Sequence, residues 1–175
     1  MTSQDGPGTN DGATVAGGAG AMAAVAAAVA AARTIVTVGH VGPDGDAFGS
    51  MVALARSARL TGRSAWATFG EPFVMPHTLR FLDAEVVEHP AGVPAAFDLL
   101  VVVDCAEQSR LGSAASLVKQ AGKVAVIDHH LTHDSFGDVA WIDPTAGATA
   151  QMVVTLLAHL GWPVDRPVAE ALYAG

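Results

Sequence analysis

The sequence predicts an α/β protein with a parallel β-sheet that is covered by helices on both faces. Short β-branched runs alternate with helix-like stretches along most of the chain, as in successive strand–helix–strand units. The runs at 99–103 and 124–127 are apolar at every position instead of at every second one. Strands with this pattern are buried on both faces, as in parallel sheets flanked by helices.

Length and composition predict one globular domain preceded by a tail. The chain has 175 residues, of which 51% are hydrophobic and 15% charged, and this is enough for a sizeable core. Six of the 19 glycines lie within residues 1–20, where few large apolar side chains could offset the entropy of ordering. We therefore expect a disordered tail at 1–20 and a domain at 21–175.

Charge and cysteine content restrict the partners and the compartment. The formal charge of −8, from 17 acidic and 9 basic residues, disfavours non-specific binding to long duplex nucleic acid but allows a small anionic ligand. Cys105 is the single cysteine, so no internal disulfide is possible and a cytoplasmic location is expected. The alanine-rich stretch 21–32 follows no Lys or Arg and is too short to span a bilayer, so we interpret it as a soluble helix packed on the domain.

The individual elements follow from β-branched runs and helical spacing. Strands are predicted at 34–38, 65–69, 85–87, 98–103 and 123–127, and helices at 47–60, 76–82 and 110–121. A further helix is predicted to begin after Asp143 as its cap, with Pro144 in its first turn. Its apolar face comprises Met152, Val153, Leu156, Leu157 and Leu160. The small residues at 146–150 suit close packing on the sheet, a helix N-terminus open to a phosphate, or both.

Polar residues follow the carboxyl ends of three predicted strands. His40 follows the first strand and Asp104 the fourth, while Asp128, His129 and His130 follow the fifth. In an open parallel sheet these ends face one crevice, which is where α/β proteins bind ligands. We therefore expect side chains that are distant in sequence to meet there.

The loop after the first strand adds two carboxylates. Asp44 and Asp46 lie with His40 in the stretch HVGPDGDAFGS at 40–50, where Gly45 permits a tight turn that directs all three into one space. Capping of the next helix accounts for one of the two acids, but not for both together with the histidine.

These acids and imidazoles predict a metal-dependent hydrolase. Crowded carboxylates repel one another unless cations neutralise them, and mixed imidazole and carboxylate ligands suit Mn²⁺, Fe²⁺, Co²⁺ or Zn²⁺ better than Ca²⁺. The candidate ligands exceed the usual complement of one catalytic ion, which favours two ions bridged by a shared carboxylate. Such pairs activate water and stabilise phosphoryl displacement, so hydrolysis of a phosphate ester is the expected chemistry.

Three ordered motifs resemble those of the DHH phosphoesterases, namely HVGPDGDAFGS at 40–50, VVVDC at 101–105 and VIDHH at 126–130. The resemblance extends over roughly 34–175 and implies the N-terminal DHH domain of that family. The form PDGDAFGS and the compact layout resemble the branch of bifunctional oligoribonucleases and 3′,5′-bisphosphate nucleotidases (pAp phosphatases), which includes relatives that act on cyclic dinucleotides.

The resemblance implies a set of metal ligands. It assigns one ion to His40, Asp44 and Asp104. It assigns a second ion to Asp46, Asp104 and His129, so that Asp104 bridges the two. Two divalent cations are implied, with Mn²⁺ first and Mg²⁺, Co²⁺ or Fe²⁺ as alternatives.

The resemblance also implies roles beyond metal binding. His130 would face the scissile phosphate and share the catalytic work with Asp104, and Asp128 would support the two histidines through hydrogen bonds. Arg110 and His133 are candidate substrate-binding residues, with an exposed surface position as the simpler interpretation of each.

The family pattern continues past Gly175 with a fourth motif, an Asp on the strand that follows a segment like ALYAG at 171–175, and with a smaller C-terminal domain. We therefore expect a truncated domain that binds at least one Mn²⁺ and turns over poorly. The implied partners are short RNA oligonucleotides or a small nucleotide, with no membrane, and the resemblance is compatible with a homodimer. An inorganic pyrophosphatase or polyphosphatase and a non-catalytic nucleotide- or metal-binding module stay open as alternatives.

Overall fold

A parallel β-sheet forms the centre of the protein. This computed structural model describes residues 14–16, 18–134 and 136–175, in which six strands occur: β1 (Thr14–Ala16), β2 (Thr34–Val38), β3 (Ser64–Thr68), β4 (Phe97–Val103), β5 (Ala121–Asp128) and β6 (Val139–Ile142). Their order across the sheet is β1, β6, β5, β4, β2, β3, and every neighbouring pair is parallel. The strands β5, β4 and β2 are therefore adjacent, and their carboxyl ends share one edge.

Helices connect the strands. The α-helices are α1 (Ala19–Ala31), α2 (Gly45–Leu60), α3 (Thr149–Leu160) and α4 (Arg166–Ala174), and shorter or tighter turns form 3-10 helices at His77–Leu79, Pro90–Gly92 and Gln108–Lys119. The Asp44 carboxylate caps α2 by accepting the N–H of Ala47, and Asp165 caps α4 in the same way through Val168.

Alternate residues of β4 enter two separate cores. Val101 and Val103 face the side that the four α-helices cover, whereas Leu100 and Val102 face the 3-10 helix Gln108–Lys119. All four side chains are fully buried. The prediction of a parallel sheet with helical cover on both faces is thereby confirmed.

A short strand and a helix form the described N-terminal part of the chain. Of the predicted tail at 1–20, residues 1–13 and 17 lie outside the described residues. Thr14–Ala16 form β1, which pairs in parallel with β6. The alanine-rich stretch forms α1, which buries Val25 and Val29. None of the helices in the described ranges has the length and apolar character needed to cross a membrane.

Several predicted elements differ from the structure. Residues 85–87 contribute only an isolated bridge between Ala67 and Val87, and the helix predicted at 76–82 is limited to the 3-10 turn His77–Leu79. The helix predicted at 110–121 is a 3-10 helix broken at Gly112, whose φ of 56° lies outside the helical region.

The helix predicted to start after Asp143 begins at Thr149. The Asp143 carboxylate accepts the backbone and hydroxyl hydrogens of Thr145, and this closes a turn instead of capping a helix. Both β6 and α4 are elements that the sequence interpretation did not include.

Candidate metal centre

The carboxyl ends of β2, β4 and β5 carry the candidate site. His40 lies two residues beyond β2, Asp104 follows β4 directly, and Asp128 is the last residue of β5. Because these three strands are neighbours in the sheet, the loops that follow them converge at one edge.

Asp104 lies at the centre of the site. Its side chain is only 3% exposed, and its backbone has the left-handed φ of 53° that few residues other than Gly, Asn and Asp adopt. Its Oδ2 lies 3.8 Å from His40 Nε2, and its Oδ1 lies 3.5 Å from His129 Nε2 and 3.7 Å from His130 Nδ1. The Thr149 hydroxyl donates a hydrogen bond of 3.0 Å to Oδ1.

The surroundings of Asp104 disfavour its negative charge. Burial raises the pKa of this carboxyl, and the nearby charges of Asp46 and Asp44 raise it further. The hydrogen bond from Thr149 acts in the opposite direction. Within the described part of the chain, the basic groups within 4.0 Å of this carboxylate are histidines, and it has no Lys or Arg ion pair, so a bound cation would relieve an existing electrostatic cost.

His40 and Asp44 form one side of the site with Asp104. His40 Nδ1 donates to the carbonyl of Val41 at 3.0 Å, and this tautomer leaves Nε2 with a free lone pair. That Nε2 lies 3.9 Å from Oδ1 of Asp44, whose side chain is 68% exposed. Asp44 can cap α2 and also face the site, because the cap uses only one of the lone pairs of its carboxylate.

Asp46 connects the site to α3. Its carboxylate accepts the N–H groups of Thr149 at 2.8 Å and Ala150 at 2.7 Å, the first two residues of that helix. Its Oδ2 also lies 3.6 Å from His129 Nε2. The amides at the start of α3 are therefore bound to a carboxylate of the protein itself, where the sequence suggested an end open to a phosphate.

The two adjacent histidines have different partners. His130 donates from both its backbone N–H and its ring Nδ1 to Oδ1 of the fully buried Asp128, at 3.3 Å and 2.7 Å. This carboxylate raises the pKa of His130, against the opposing effect of partial burial. His129 Nδ1 instead faces the carbonyl of Ala146 at 3.4 Å, so the expected support from Asp128 reaches only His130.

Arg110 and His133 lie near the site without joining its clusters. The Arg110 side chain is exposed, and its backbone carbonyl accepts the N–H of Val41, which places its loop beside that of His40. The His133 ring stacks on Phe136 at 5.1 Å between centroids, and burial lowers its pKa. Both ring nitrogens of His133 are buried without a hydrogen-bond partner among the residues that the structure describes.

Two further residues at the site were not singled out as functional from the sequence. Thr149 contacts both Asp46 and Asp104. One of these contacts uses its backbone N–H, which any residue except proline carries, so residue type offers little signal. Cys105, next to Asp104, donates its S–H to the carbonyl of Glu107, and burial raises the pKa of the thiol to about 11.

The donor atoms fit a divalent metal. Among the residues that the structure describes, two groups have ligand atoms that all lie within 4.8 Å of one another: His40, Asp44 and Asp104, and Asp104, His129 and His130. Asp104 belongs to both groups, as a bridging carboxylate would. The second group contains His130, whereas the family resemblance implies Asp46 at that place. The Nδ1 atom of His130 is already bound to Asp128. Imidazole nitrogen combined with carboxylate oxygen is a donor set typical of Mn²⁺, Fe²⁺, Co²⁺ and Zn²⁺.

The chain is similar in sequence to two proteins that carry the same name in different bacteria. The chain is 37% identical over 142 residues to the bifunctional oligoribonuclease and PAP phosphatase NrnA of Thermus thermophilus, and the match covers 78% of this chain and 40% of that protein. Identity to the NrnA protein of Bacillus subtilis is 32% over 147 residues, covering 81% of this chain and 44% of the relative. The chain thus spans less than half the length of these relatives.

The fold is also similar to that of a solved protein. The crystal structure of an exopolyphosphatase-related protein from Bacteroides fragilis superposes with a TM-score of 0.80 at 22% identity, over 95% of this chain and 50% of that one. Residues 34–175, which include every residue of the site described above, match the model of the DHH family N-terminal domain. The resemblance inferred from the three motifs is confirmed, and the chain belongs to the DHH family.

Proposed function

We propose that this chain provides the metal-binding catalytic domain of a phosphoesterase that hydrolyses short oligoribonucleotides, nucleoside 3′,5′-bisphosphates or cyclic dinucleotides. Membership of the DHH family and identity to two oligoribonuclease and PAP phosphatase proteins support this proposal. The net charge of −8 agrees with a small substrate bound at a local cationic site instead of a long polyanion gripped by a basic surface.

The observation that carries the proposal is the placement of Asp104. It is a buried carboxylate shared by two groups of potential ligands and contacted by three imidazole rings. We assign His40, Asp44 and Asp104 to one ion. We assign Asp46, Asp104 and His129 to the second ion. Mn²⁺ is the first choice for both ions. Divalent ions in such a pair lower the pKa of a water molecule and offset the charge of the phosphoryl group.

We assign to His130 the stabilisation of negative charge at the edge of this site. The hydrogen bond to Asp128 fixes its ring and favours the protonated form. A ring held in this way can donate from its second nitrogen to a phosphate oxygen, where negative charge grows as the ester bond breaks. Asp128 therefore acts through His130.

Two residues outside the metal ligands complete the proposed substrate site. The exposed guanidinium of Arg110 can bind a terminal phosphate through paired N–H donors. His133, with its ring held flat against Phe136, provides a position where the leaving nucleoside can make contact.

Single-turnover hydrolysis with the purified 175-residue chain in excess tests the proposal. The substrates are a ribodinucleotide, adenosine 3′,5′-bisphosphate, a cyclic dinucleotide and pyrophosphate. Release of mononucleotide that requires Mn²⁺, is stopped by EDTA and is lost in Asp104→Asn is expected. Phosphate release from pyrophosphate alone would favour the pyrophosphatase alternative. Tight Mn²⁺ binding with no turnover of any substrate, by this chain and by any longer form of the protein, would favour a non-catalytic module.

A further inference from the structure

The two carboxylates of the proposed second ion come from different elements, Asp46 from the first turn of α2 and Asp104 from the end of β4, yet both contact one residue. Thr149 donates its backbone N–H to Oδ2 of Asp46 at 2.8 Å and its hydroxyl to Oδ1 of Asp104 at 3.0 Å. Its side chain is completely buried, so water does not compete for the hydroxyl contact.

We propose that Thr149 is a positioning residue that sets the orientation of both carboxylates for metal binding. This inference rests on the proposed function, because it assigns a purpose to the residue only if the site holds metal. In this role Thr149 acts through the two carboxylates, because it donates its hydroxyl hydrogen to Asp104 and its backbone N–H to Asp46.

The hydroxyl contact fixes which Asp104 oxygen faces which group of ligands. With Oδ1 held by Thr149, that oxygen lies 3.5 Å from His129 Nε2, and Oδ2 lies 3.8 Å from His40 Nε2. A carboxylate without this contact is free to rotate away from the like charge of Asp46. A neutral donor also compensates part of the desolvation of Asp104 while leaving its full charge for a cation.

A purely local role for this hydroxyl does not fit the structure. A threonine at the start of a helix often bonds to backbone N–H groups of the same helix. The N-cap residue of α3 is Ala148, which makes no side-chain cap, and the Thr149 hydroxyl donates across the site to Asp104. The start of α3 is capped by Asp46 from the first turn of α2.

The test compares Thr149→Ser, Thr149→Ala and Thr149→Val in the 175-residue chain. Mn²⁺ binding is measured by isothermal titration and by the loss of the free Mn²⁺ electron paramagnetic resonance signal, and urea unfolding of the metal-free chain checks folding. We expect Ala and Val to weaken Mn²⁺ binding about 10- to 100-fold and Ser to restore it, because Ser and Ala differ by the hydroxyl alone. Thr155→Val is the matched control, since the exposed Thr155 hydroxyl donates to the carbonyl of Gln151 within the same helix.

The outcomes separate the two proposals. If the parent chain binds Mn²⁺ and the Ala and Val variants bind it equally well, the positioning role is wrong while the proposed function stands. If Ser weakens binding as much as Ala, the methyl group matters and the hydroxyl does not, which also overturns the inference. If Val fails to fold, the comparison of Ser with Ala still decides. A parent chain that binds no Mn²⁺ would overturn the proposed function and this inference together.

Discussion

Asp104 combines two unfavourable features at one position. Its backbone is in the left-handed region, and its carboxylate is buried beside other acids that raise its pKa. Costs of this kind persist where the surrounding structure enforces them, and they concentrate at functional sites. The residue is therefore better explained by binding than by stability.

Replacement of Asp104 by Asn tests this interpretation. Asn tolerates the same backbone conformation and can still accept the Thr149 hydrogen bond, so the change removes charge alone. We expect titration calorimetry to show no Mn²⁺ binding. The midpoint temperature of thermal unfolding of the metal-free chain should rise by roughly 2–4 °C, which corresponds to about 1 kcal/mol in the free energy of unfolding for a protein of this size. A variant that binds Mn²⁺ as the parent does would contradict the bridging role.

His130→Gln distinguishes a phosphate contact from a metal ligand. Glutamine keeps an N–H that can reach Asp128 but cannot become a cation. We expect Mn²⁺ affinity to be retained and the single-turnover rate to fall about 10²- to 10⁴-fold. Loss of Mn²⁺ affinity would instead identify His130 as a ligand, in line with its place beside Asp104 and His129.

Residue chemistry at the strand ends could be predicted from the sequence, but the contacts could not. His40, Asp104 and His129 were identifiable because acids and imidazoles are costly at the ends of buried strands. The capping of α3 by Asp46 was not, since it joins a side chain to backbone amides about a hundred positions away. Residue type says nothing about such a partner.

Helix α4 is held tightly against α2, and this places its end beside the site. A β-carbon added at Gly49 would overlap the carbonyl oxygen of Ala171, and one added at Gly45 would overlap that of Ala174. The last residue, Gly175, approaches the backbone of Asp46. Glycine at these α2 positions therefore controls how closely the two helices pack.

Gly49→Ala should destabilise the protein. The added methyl group meets backbone, which cannot rotate away, so α4 must shift at a cost of about 1–3 kcal/mol in the free energy of unfolding. Gly20→Ala is the matched control, because nothing lies within 4 Å of its β-carbon position in α1. Alanine should stabilise that helix by up to about 1 kcal/mol. Urea unfolding that shows equal effects for both changes would contradict this account of packing.

The cap of α4 should make stability depend on pH. The hydrogen bond from Arg56 lowers the pKa of Asp165 below its ordinary value of 3.8. A carboxyl with a lowered folded-state pKa contributes stability above pH 4, and this contribution disappears as the pH falls through the folded-state value.

Asp165→Asn isolates that contribution, because Asn can still cap the helix. We expect a loss of roughly 0.5–1 kcal/mol at pH 7 that shrinks as the pH falls below 4, measured by urea unfolding at each pH. Glu170→Gln is the control, since its pair with the 88% exposed Arg166 should contribute nothing measurable. A pH-independent loss in Asp165→Asn would show that the ion pair is not the cause.

The central strands of the sheet could be predicted from the sequence more reliably than the short strand β6 and the helix α4. The central strands were predictable because their residues are apolar at every position. The four-residue strand β6 and the nine-residue helix α4 are too short to be stable alone and depend on partners that are distant in sequence. Their positions follow from tertiary packing, which local patterns do not encode.

Metal binding should stabilise the entire chain, because the ligands come from loops after three strands and disperse on unfolding. At a free Mn²⁺ concentration about 100 times its dissociation constant, the gain is about 2.7 kcal/mol, or roughly 5–11 °C in the unfolding midpoint. Differential scanning fluorimetry with Mn²⁺ and then excess EDTA measures this shift and its reversal. The same shift in Asp104→Asn would mean that the ion binds elsewhere.

Alkylation of the buried Cys105 thiol, next to Asp104, can report when this region opens. Burial raises the pKa of Cys105 to about 11, so the thiol is almost entirely protonated at neutral pH, whereas alkylating reagents attack the ionised form. A short pulse of iodoacetamide therefore leaves closed molecules unmodified and marks those in which the end of β4 has come apart. Mass spectrometry then measures the alkylated fraction.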